Sequence, residues 1–193
     1  MRLHRLFICL TVLFLALAAF PAMAQLSKKD KKKAEKQNQD TKTADPKFNF
    51  YFFSGLKDKS LNNMEPALEN FNRCLELDPT NDAVMFEIAK IYVLRNMNDK
   101  AAELMEQAVK ISPDQEWYLQ LQAQIYEETN KQEQAANCYK HLLELYPDRV
   151  EFFFKLANAY IFSNKFTDAL KVYDKLEAQI GITEDVAIQK QKI

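Results

Sequence analysis

The sequence between residues 82 and 149 contains one pattern written twice. Residues 82–115 read DAVMFEIAKIYVLRNMNDKAAELMEQAVKISPDQ, and residues 116–149 read EWYLQLQAQIYEETNKQEQAANCYKHLLELYPDR. Tyrosine, asparagine, alanine and proline fall at matching places, and the interval of 34 residues continues on either side. The residues in phase are Tyr92, Tyr126 and Tyr160; Asn62, Asn96, Asn130 and Asn164; Ala67, Ala101, Ala135 and Ala169; and Pro79, Pro113 and Pro147. Because each unit of an array must present the same packing surface to the next, this period predicts a stack of similar helix pairs.

The asparagines of this pattern explain how helices can end in a chain that is poor in glycine. The chain has only two glycines, Gly55 and Gly181. Asparagine is the next most suitable residue for the left-handed conformation that closes a helix. We therefore predict that each in-phase asparagine ends the first helix of a unit. The in-phase prolines cannot continue a helix, so we predict that each one stops a second helix.

The whole pattern resembles the tetratricopeptide repeat family. The motif of that family is an aromatic residue, a small pair, a tyrosine, an alanine, a second aromatic residue and a proline. The matching residues are Tyr51, Gly55, Ala67, Phe71 and Pro79; Ile88, Ala89, Tyr92, Ala101 and Pro113; Ala123, Tyr126, Ala135, Tyr139 and Pro147; and Phe153, Leu156, Ala157, Tyr160, Ala169 and Tyr173. The sequence departs from the motif at Asp58, which replaces a tyrosine, and at Gly181, which replaces a proline. The resemblance implies an all-α fold, a right-handed α-solenoid of antiparallel helix pairs.

The resemblance also implies a domain organisation. We predict a tetratricopeptide repeat domain over residues 47–193, with units at about 48–81, 82–115, 116–149 and 150–183. Residues 184–193 begin a fifth unit that stops before its second helix. Either this short helix caps the stack, or the array continues beyond Ile193. We favour continuation, because the next residue in phase would be the tyrosine of the repeat.

Residues 1–24 are typical of a secretory signal peptide. Arg2 and Arg5 precede a long apolar run, and Ala22 and Ala24 supply the small residues that a signal peptidase needs. We predict cleavage after Ala24 and export to the periplasm or to the exterior. The alternative is an uncleaved membrane anchor, because the apolar run is near the lower length limit for spanning a bilayer.

Residues 25–46 are polar and rich in lysine, and they contain almost no large apolar side chain. Such a composition cannot bury enough apolar surface to fold, so it predicts a disordered linker. The lysines could alternatively rest on an anionic membrane surface. Acidic residues interrupt the run and no aromatic residue accompanies it, which favours a solvated linker.

The remaining part of the chain is acidic and lacks the residues of a catalytic site. From Phe48 onward there are 16 basic and 23 acidic residues, which indicates no nucleic-acid partner. Two glycines leave no phosphate-binding loop, and His141 has no nucleophile beside it. Cys74 and Cys138 lie nearly two repeats apart, so we predict that both are unpaired. We expect neither an enzyme nor a metal site nor a cofactor.

Binding is the remaining function class. In the family, the stacked first helices line a concave groove, so the resemblance implies which side chains face it. The candidate partner-binding residues are Phe52, Leu56, Phe86, Lys90, Leu94, Trp117, Leu121, Phe154, Asn158 and Phe162, with Gln120, Gln124 and Lys155 on the same helix faces. Exposed aromatic residues on a rigid concave surface commonly anchor a protein partner. The alternative is that the phenylalanines only thicken the core.

Some family members hold acidic tails with a clamp of lysine, arginine and asparagine in the groove. Here only Lys90, Lys155 and Asn158 could contribute to such a clamp, and Glu87 and Glu128 would repel a carboxylate. The sequence therefore favours other ligands over an acidic tail.

The sequence thus predicts a protein–protein interaction scaffold in the bacterial cell envelope, which binds a peptide or a partner helix in the groove. One alternative is that the chain is the N-terminal fragment of a longer repeat protein. Another is an envelope-assembly accessory protein whose lysine-rich linker rests on the membrane. The repeat names no partner, and it leaves the oligomeric state open because the end faces of a solenoid can pair.

Overall fold

The computed structural model describes residues 45–193. The predicted signal peptide and all but the last two residues of the predicted linker lie outside the described residues. Within the described part the chain forms nine α-helices and no strand. The helices are α1 (Pro46–Ser60), α2 (Met64–Leu77), α3 (Asp82–Leu94), α4 (Asn98–Ile111), α5 (Glu116–Glu128), α6 (Gln132–Leu145), α7 (Val150–Phe162), α8 (Phe166–Ile180) and α9 (Glu184–Gln191). The prediction of an all-α repeat solenoid is confirmed.

The helices keep the 34-residue period of the sequence. Helices α3, α5, α7 and α9 begin at Asp82, Glu116, Val150 and Glu184. Helix α1 begins at Pro46, the first helical position, where proline loses no helical hydrogen bond. Helices in contact are almost all neighbours in the sequence, from α2 against α3 through to α8 against α9. This is the contact pattern of a stack of helix pairs.

Each in-phase asparagine closes a first helix in the left-handed conformation. The φ angles are +62° at Asn62, +56° at Asn96, +60° at Asn130 and +59° at Asn164. The residue after each asparagine then donates its N–H back to the carbonyl five positions earlier, as Met97 does to Tyr92 at 2.9 Å. The equivalent bonds from Asn63, Lys131 and Lys165 are 2.9, 2.7 and 2.8 Å long. The prediction of asparagine closure is confirmed, and Asp58, which departs from the motif, accepts the same bond as the tyrosines.

The second helices end as the prolines require. Helices α2, α4 and α6 stop at Leu77, Ile111 and Leu145, two residues before the in-phase prolines. Helix α8 has no such proline, and it is closed instead by Gly181, whose φ is +82° and whose N–H bonds to the carbonyl of Glu177 at 2.8 Å. The predicted role of the prolines is confirmed, and Gly181 replaces the fourth proline because glycine adopts this φ without strain.

The helices of a pair approach closely at small residues. The four in-phase alanines are fully buried. In the first pair, Gly55 is the buried residue of α1, and a Cβ atom added there would lie 2.7 Å from a ring atom of Phe71 on α2. The ring of Phe71 is itself completely buried, so it has no room to move away. Glycine is therefore required at this crossing by space rather than by backbone conformation.

We expect the substitution Gly55→Ala to destabilise the fold. The added methyl group overlaps the buried Phe71 ring, and overpacking of this kind costs about 1–3 kcal/mol, more than the ~1 kcal/mol that alanine gains over glycine in a helix. Urea denaturation followed by circular dichroism measures the loss. The control is Phe71→Leu alone and combined with Gly55→Ala. The explanation is wrong if the two substitutions are additive, because the shorter side chain should relieve the overlap.

The two cysteines of the described part are both buried and free. The prediction that they are unpaired is confirmed. Burial raises the pKa of the Cys74 thiol from 9.0 to about 11, and it raises the pKa of the Cys138 thiol from 9.0 to about 12. Both groups therefore stay protonated in the folded chain at neutral pH, and each behaves as a small apolar side chain.

We expect both thiols to react slowly with a thiol reagent while the chain is folded. The raised pKa values lower the thiolate fraction at pH 8 by about 100-fold or more. The folded pKa values lie above the unfolded value of 9.0, so the unfolded chain releases its thiol protons first as the pH rises. The contribution of the two thiols to the free energy of unfolding is therefore complete below pH 9.0 and declines as the pH rises toward 11 to 12. Ellman's reagent with and without urea measures the labelling, and urea midpoints from pH 7 upward measure the stability. Rapid labelling of the folded chain would contradict the burial argument.

Candidate functional site

Helices α3 and α5 bring four of the candidate residues together. Phe86 and Lys90 on α3, and Trp117 and Leu121 on α5, line one cavity of about 370 Å³, which we call the central cavity. The other residues that line it are Gln120, Gln124, Glu127, Tyr139 and Lys155. The central cavity thus combines aromatic, aliphatic, amide and charged groups from several helices.

A second cavity adjoins the first and contains two more candidates. This adjacent cavity, of about 360 Å³, is lined by Asn158 and Phe162 of α7 together with Glu127, Gln132 and Lys155. Glu127 and Lys155 line both cavities, so the two form one continuous surface. We call this surface, the lining residues of both cavities, the groove.

The other four candidates lie outside the groove. The ring of Phe52 packs 6.1 Å from the ring of Phe71, and Leu56 packs against the same core cluster. Phe154 packs edge-on against Tyr173, with 5.7 Å between ring centroids. Leu94 is exposed over 67% of its surface and lines neither cavity. For the two phenylalanines, the structure thus places the rings in packing contacts between helices.

Glu127 and Tyr139 are residues of the groove that the sequence reasoning missed. Tyr139 belongs to the second helix α6 and is buried, yet its hydroxyl donates a 3.0 Å hydrogen bond to Oε1 of Glu127 on α5. Burial first, and then the Glu127 carboxylate, raises the pKa of the Tyr139 hydroxyl above its usual value. The phenol therefore stays a hydrogen-bond donor, and it holds one oxygen of Glu127 in place at the point where the two cavities meet.

The lysines of the groove differ in their partners. Lys90 lies 3.1 Å from Oε1 of Glu87 and 4.9 Å from the centroid of the Phe86 ring. Glu87 also pairs with Lys59, whose pKa is lowered chiefly by burial. Lys155 lies 5.7 Å from the centroid of the Tyr139 ring, and no ion pair joins it to any residue in the described range. Lys155 is thus the lysine of the groove that forms no ion pair within residues 45–193.

Glu87 does not act as a free repulsive charge beside the groove. The sequence interpretation expected it to repel a carboxylate, but it lies between Lys59 and Lys90 and pairs with both. Glu128 accepts a 2.8 Å hydrogen bond from Nε2 of Gln124, and its carboxylate is not among the groups that line the groove. Two ammonium groups therefore compensate the charge of Glu87, and the repulsion of a carboxylate stays a prediction.

Two glutamine side chains of α5 are held in place by acids on their own helix. Nε2 of Gln120 donates to Glu116 at 2.9 Å, and Nε2 of Gln124 donates to Glu128 at 2.8 Å. Each bond fixes the amide group and leaves its carbonyl oxygen to accept. Oriented amides of this kind suit the N–H groups of a peptide backbone.

The most exposed aromatic residues of the groove are Trp117 and Phe162. Trp117 is exposed over 62% of its surface and Phe162 over 72%. Neither ring stacks on another aromatic residue of the described chain, in contrast to Phe86, whose ring lies 5.0 Å from that of Tyr118. These two side chains therefore offer apolar surface that the stack itself does not bury.

Residues 45–193 contain neither a metal-binding cluster of side chains nor a membrane-spanning helix. In that range there is no group of three or more His, Cys, Asp or Glu residues that could hold a metal ion. His141 lies on α6, and its Nε2 is 3.1 Å from Oδ1 of the exposed Asp114. Among the helices of this range, none combines the length and the apolar character that a membrane span requires.

Two sequence profiles of the tetratricopeptide repeat match the chain, one at residues 62–125 and the other at residues 121–181. No curated protein matches the chain at a significant level of similarity.

Solved structures share the fold at low identity. MamA of AMB-1 has a TM-score of 0.63 and 18% identity, with 73% of this chain and 78% of MamA covered. A tetratricopeptide repeat protein from Parabacteroides merdae has a TM-score of 0.66 and 17% identity, with 75% of this chain and 57% of that one covered.

A third similar structure contains a ligand. It is the first tetratricopeptide domain of Spaghetti (RPAP3) bound to an HSP90 peptide, with a TM-score of 0.53 and 20% identity. The match covers 65% of this chain and 94% of that one. The repeat profiles, the asparagine closures and the shared fold agree, and the chain belongs to the tetratricopeptide repeat family.

Proposed function

We propose that the chain is a protein–protein interaction scaffold of the bacterial cell envelope, which holds a peptide or a partner helix in the groove. The observation that carries the proposal is the pair of exposed aromatic side chains, Trp117 and Phe162, on one continuous groove. Tryptophan and phenylalanine are enriched at protein interfaces, where a few anchor residues supply most of the binding energy.

The groove matches the needs of a peptide ligand. The central cavity offers apolar walls at Trp117 and Leu121, and the amides of Gln120 and Gln124 lie beside them. Lys155, at the junction of the two cavities, offers a charge to an acidic side chain or to a backbone carbonyl. We expect an apolar anchor in the central cavity and a second apolar contact at Phe162.

The similar structure with a bound HSP90 peptide supports this mode of binding. At 20% identity it shares the fold alone, so the sequence of that peptide does not carry over to the present chain. The family consists typically of scaffolds without catalytic activity, which agrees with the expectation that this chain is not an enzyme.

Photocrosslinking tests the groove as the binding surface. A photoreactive residue is placed at Trp117 or at Phe162 in the full chain, and a matched control carries it at the exposed Asn72 on α2. We expect the two groove positions, and not position 72, to give one discrete adduct in cells, which mass spectrometry then identifies. Equal adducts from all three positions, or an adduct from position 72 alone, would show that the groove is not the site.

Export is the second part of the proposal, and it rests on the arginines and the apolar run of residues 1–24. The accumulated protein is purified from cell fractions and its N-terminal residue is determined. We expect Gln25 as the first residue and recovery outside the cytoplasm. Recovery of the protein in the cytoplasm with residues 1–24 intact would overturn the assignment to the envelope.

A further inference from the structure

The first helix of the stack carries an apolar face that no other described helix covers. Phe50, Phe53 and Leu61 are exposed over 67%, 64% and 59% of their surfaces. Their spacing of three to four residues, with the exposed Lys57 between them, places all four on one side of α1 and its C-terminal end. We call these four residues the α1 face.

The last helix of the stack carries a comparable face with the opposite charge. Ile182 is exposed over 82% of its surface, and Ile188 is also exposed. The exposed acids Glu184 and Asp185 lie four and three residues before Ile188, on the same side of α9. We call Glu184, Asp185 and Ile188, together with Ile182 in the segment just before the helix, the α9 face.

Helix α9 is held firmly enough to present this face. Val186 is fully buried in the core of the last units, and Ile193 packs against the same cluster. Lys190 pairs with Asp174 at 2.7 Å and with Glu177 at 2.8 Å, which ties α9 to α8. The inner side of α9 is therefore fixed, and the α9 face points away from the stack.

The two faces complement each other in polarity and in charge. Each has bulky apolar side chains, the α1 face adds a lysine, and the α9 face adds two carboxylates. Within residues 45–193, no ion pair joins Lys57, Glu184 or Asp185 to another residue. Because α1 and α9 are the first and last helices of a stack whose contacts run between neighbours, one copy does not bring its own two faces together.

We propose that the α1 face of one copy docks on the α9 face of a second copy, head to tail. The contact is heterologous, so each bound copy still offers one free face and the copies add into open chains. The opposite charges of Lys57 and of the two acids set the direction of the contact and disfavour pairing of two α1 faces. The groove is lined by residues of α3, α5, α6 and α7, so this assembly rests on residues that the proposed function does not use.

Mixing two blocked variants tests the geometry. In the purified full chain, F50S/F53S removes the phenylalanines of the α1 face, and I182S/I188S removes the isoleucines of the α9 face. Sedimentation equilibrium of the unchanged chain should show a mass that rises steadily with concentration. Each variant alone should stay at the mass of one chain, and an equal mixture of the two should stop at the mass of two chains.

Charge reversal tests the direction of the contact. K57E alone and E184K/D185K alone should each weaken self-association at least tenfold, and the triple variant K57E/E184K/D185K should recover most of it. Added salt should also weaken the self-association of the unchanged chain. Circular dichroism and urea midpoints equal to those of the unchanged chain verify that these exposed substitutions leave the fold intact.

Several outcomes would overturn the proposal. One is an unchanged chain that stays at the mass of one chain at every concentration, which is the result expected if residues 1–44 or another protein cover the α1 face. A second is self-association of I182S/I188S alone, since that variant retains only the α1 face and would have to pair symmetrically. A third is failure of the triple charge reversal to restore association.

Discussion

Replacing Asn130 with valine lowers the free energy of unfolding by about 2 kcal/mol. Asn130 closes α5 with φ at +60° and is exposed to solvent. Asparagine tolerates this left-handed conformation, whereas a β-branched side chain collides there with its own backbone, which costs about 1–3 kcal/mol. Valine would also weaken the 2.7 Å bond from the N–H of Lys131 to the carbonyl of Tyr126, because that bond forms only when the turn closes. Urea denaturation measures the difference.

Two matched controls separate the backbone from the side chain in this experiment. Asn130→Gly should leave the free energy of unfolding within about 0.5 kcal/mol of the unchanged chain, because glycine adopts the same φ freely. Lys131→Val introduces the same β-branched residue one position later, where φ is −93°, and should cost far less than Asn130→Val. If glycine destabilises as strongly as valine, the side chain of Asn130 and not its backbone angle accounts for the effect.

The closure of the first helices could be predicted from the sequence because the rule is local. The left-handed conformation of a residue does not depend on contacts with another unit. Four in-phase asparagines in a chain with two glycines were therefore sufficient to predict where the first helices end. The crossing of α1 and α2 is an intermediate case. The sequence marks Gly55 as a motif residue, but only the distance to the buried Phe71 ring shows that the reason is space.

Membership of the groove could not be predicted for every candidate because it depends on the next helix. Phe154 and Phe162 lie on the same helix α7, and both are large and apolar. Phe154 meets the buried Tyr173 of α8, whereas Phe162 at the end of α7 stays exposed over 72% of its surface. Helical spacing predicts the side of a helix on which a residue lies. It does not predict which side chains of the neighbouring helix pack against that residue.

The hydrogen bond between Tyr139 and Glu127 is a second feature of the groove that could not be predicted from the sequence. Tyr139 occupies an aromatic position of the motif, which indicates core packing, and its ring is indeed buried. Its hydroxyl nevertheless reaches Glu127 across the helix pair at 3.0 Å and lies at the wall of the central cavity. A long side chain can thus serve the core with its ring and the groove with its polar end.

Replacing Trp117 with serine weakens binding of the groove ligand by about 30-fold or more, and replacing Phe162 has a similar effect. These are the two exposed aromatic residues that line the groove, and loss of an aromatic anchor at an interface costs about 2 kcal/mol or more. Because both side chains are exposed, each substitution should change the free energy of unfolding by less than about 0.5 kcal/mol. Titration of the adduct-forming partner, identified by photocrosslinking, measures the affinity.

Leu94→Ser is the matched control, since Leu94 is as exposed as the two aromatic residues but lines neither cavity. It should leave the affinity within about twofold of the unchanged chain, as expected of a surface residue outside an interface. Phe154→Ser, by contrast, removes a ring packed on Tyr173 and should lower stability before it lowers affinity. Equal losses of affinity for Leu94→Ser and Trp117→Ser would mean that the ligand extends beyond the two cavities to the end of α3, where Leu94 lies.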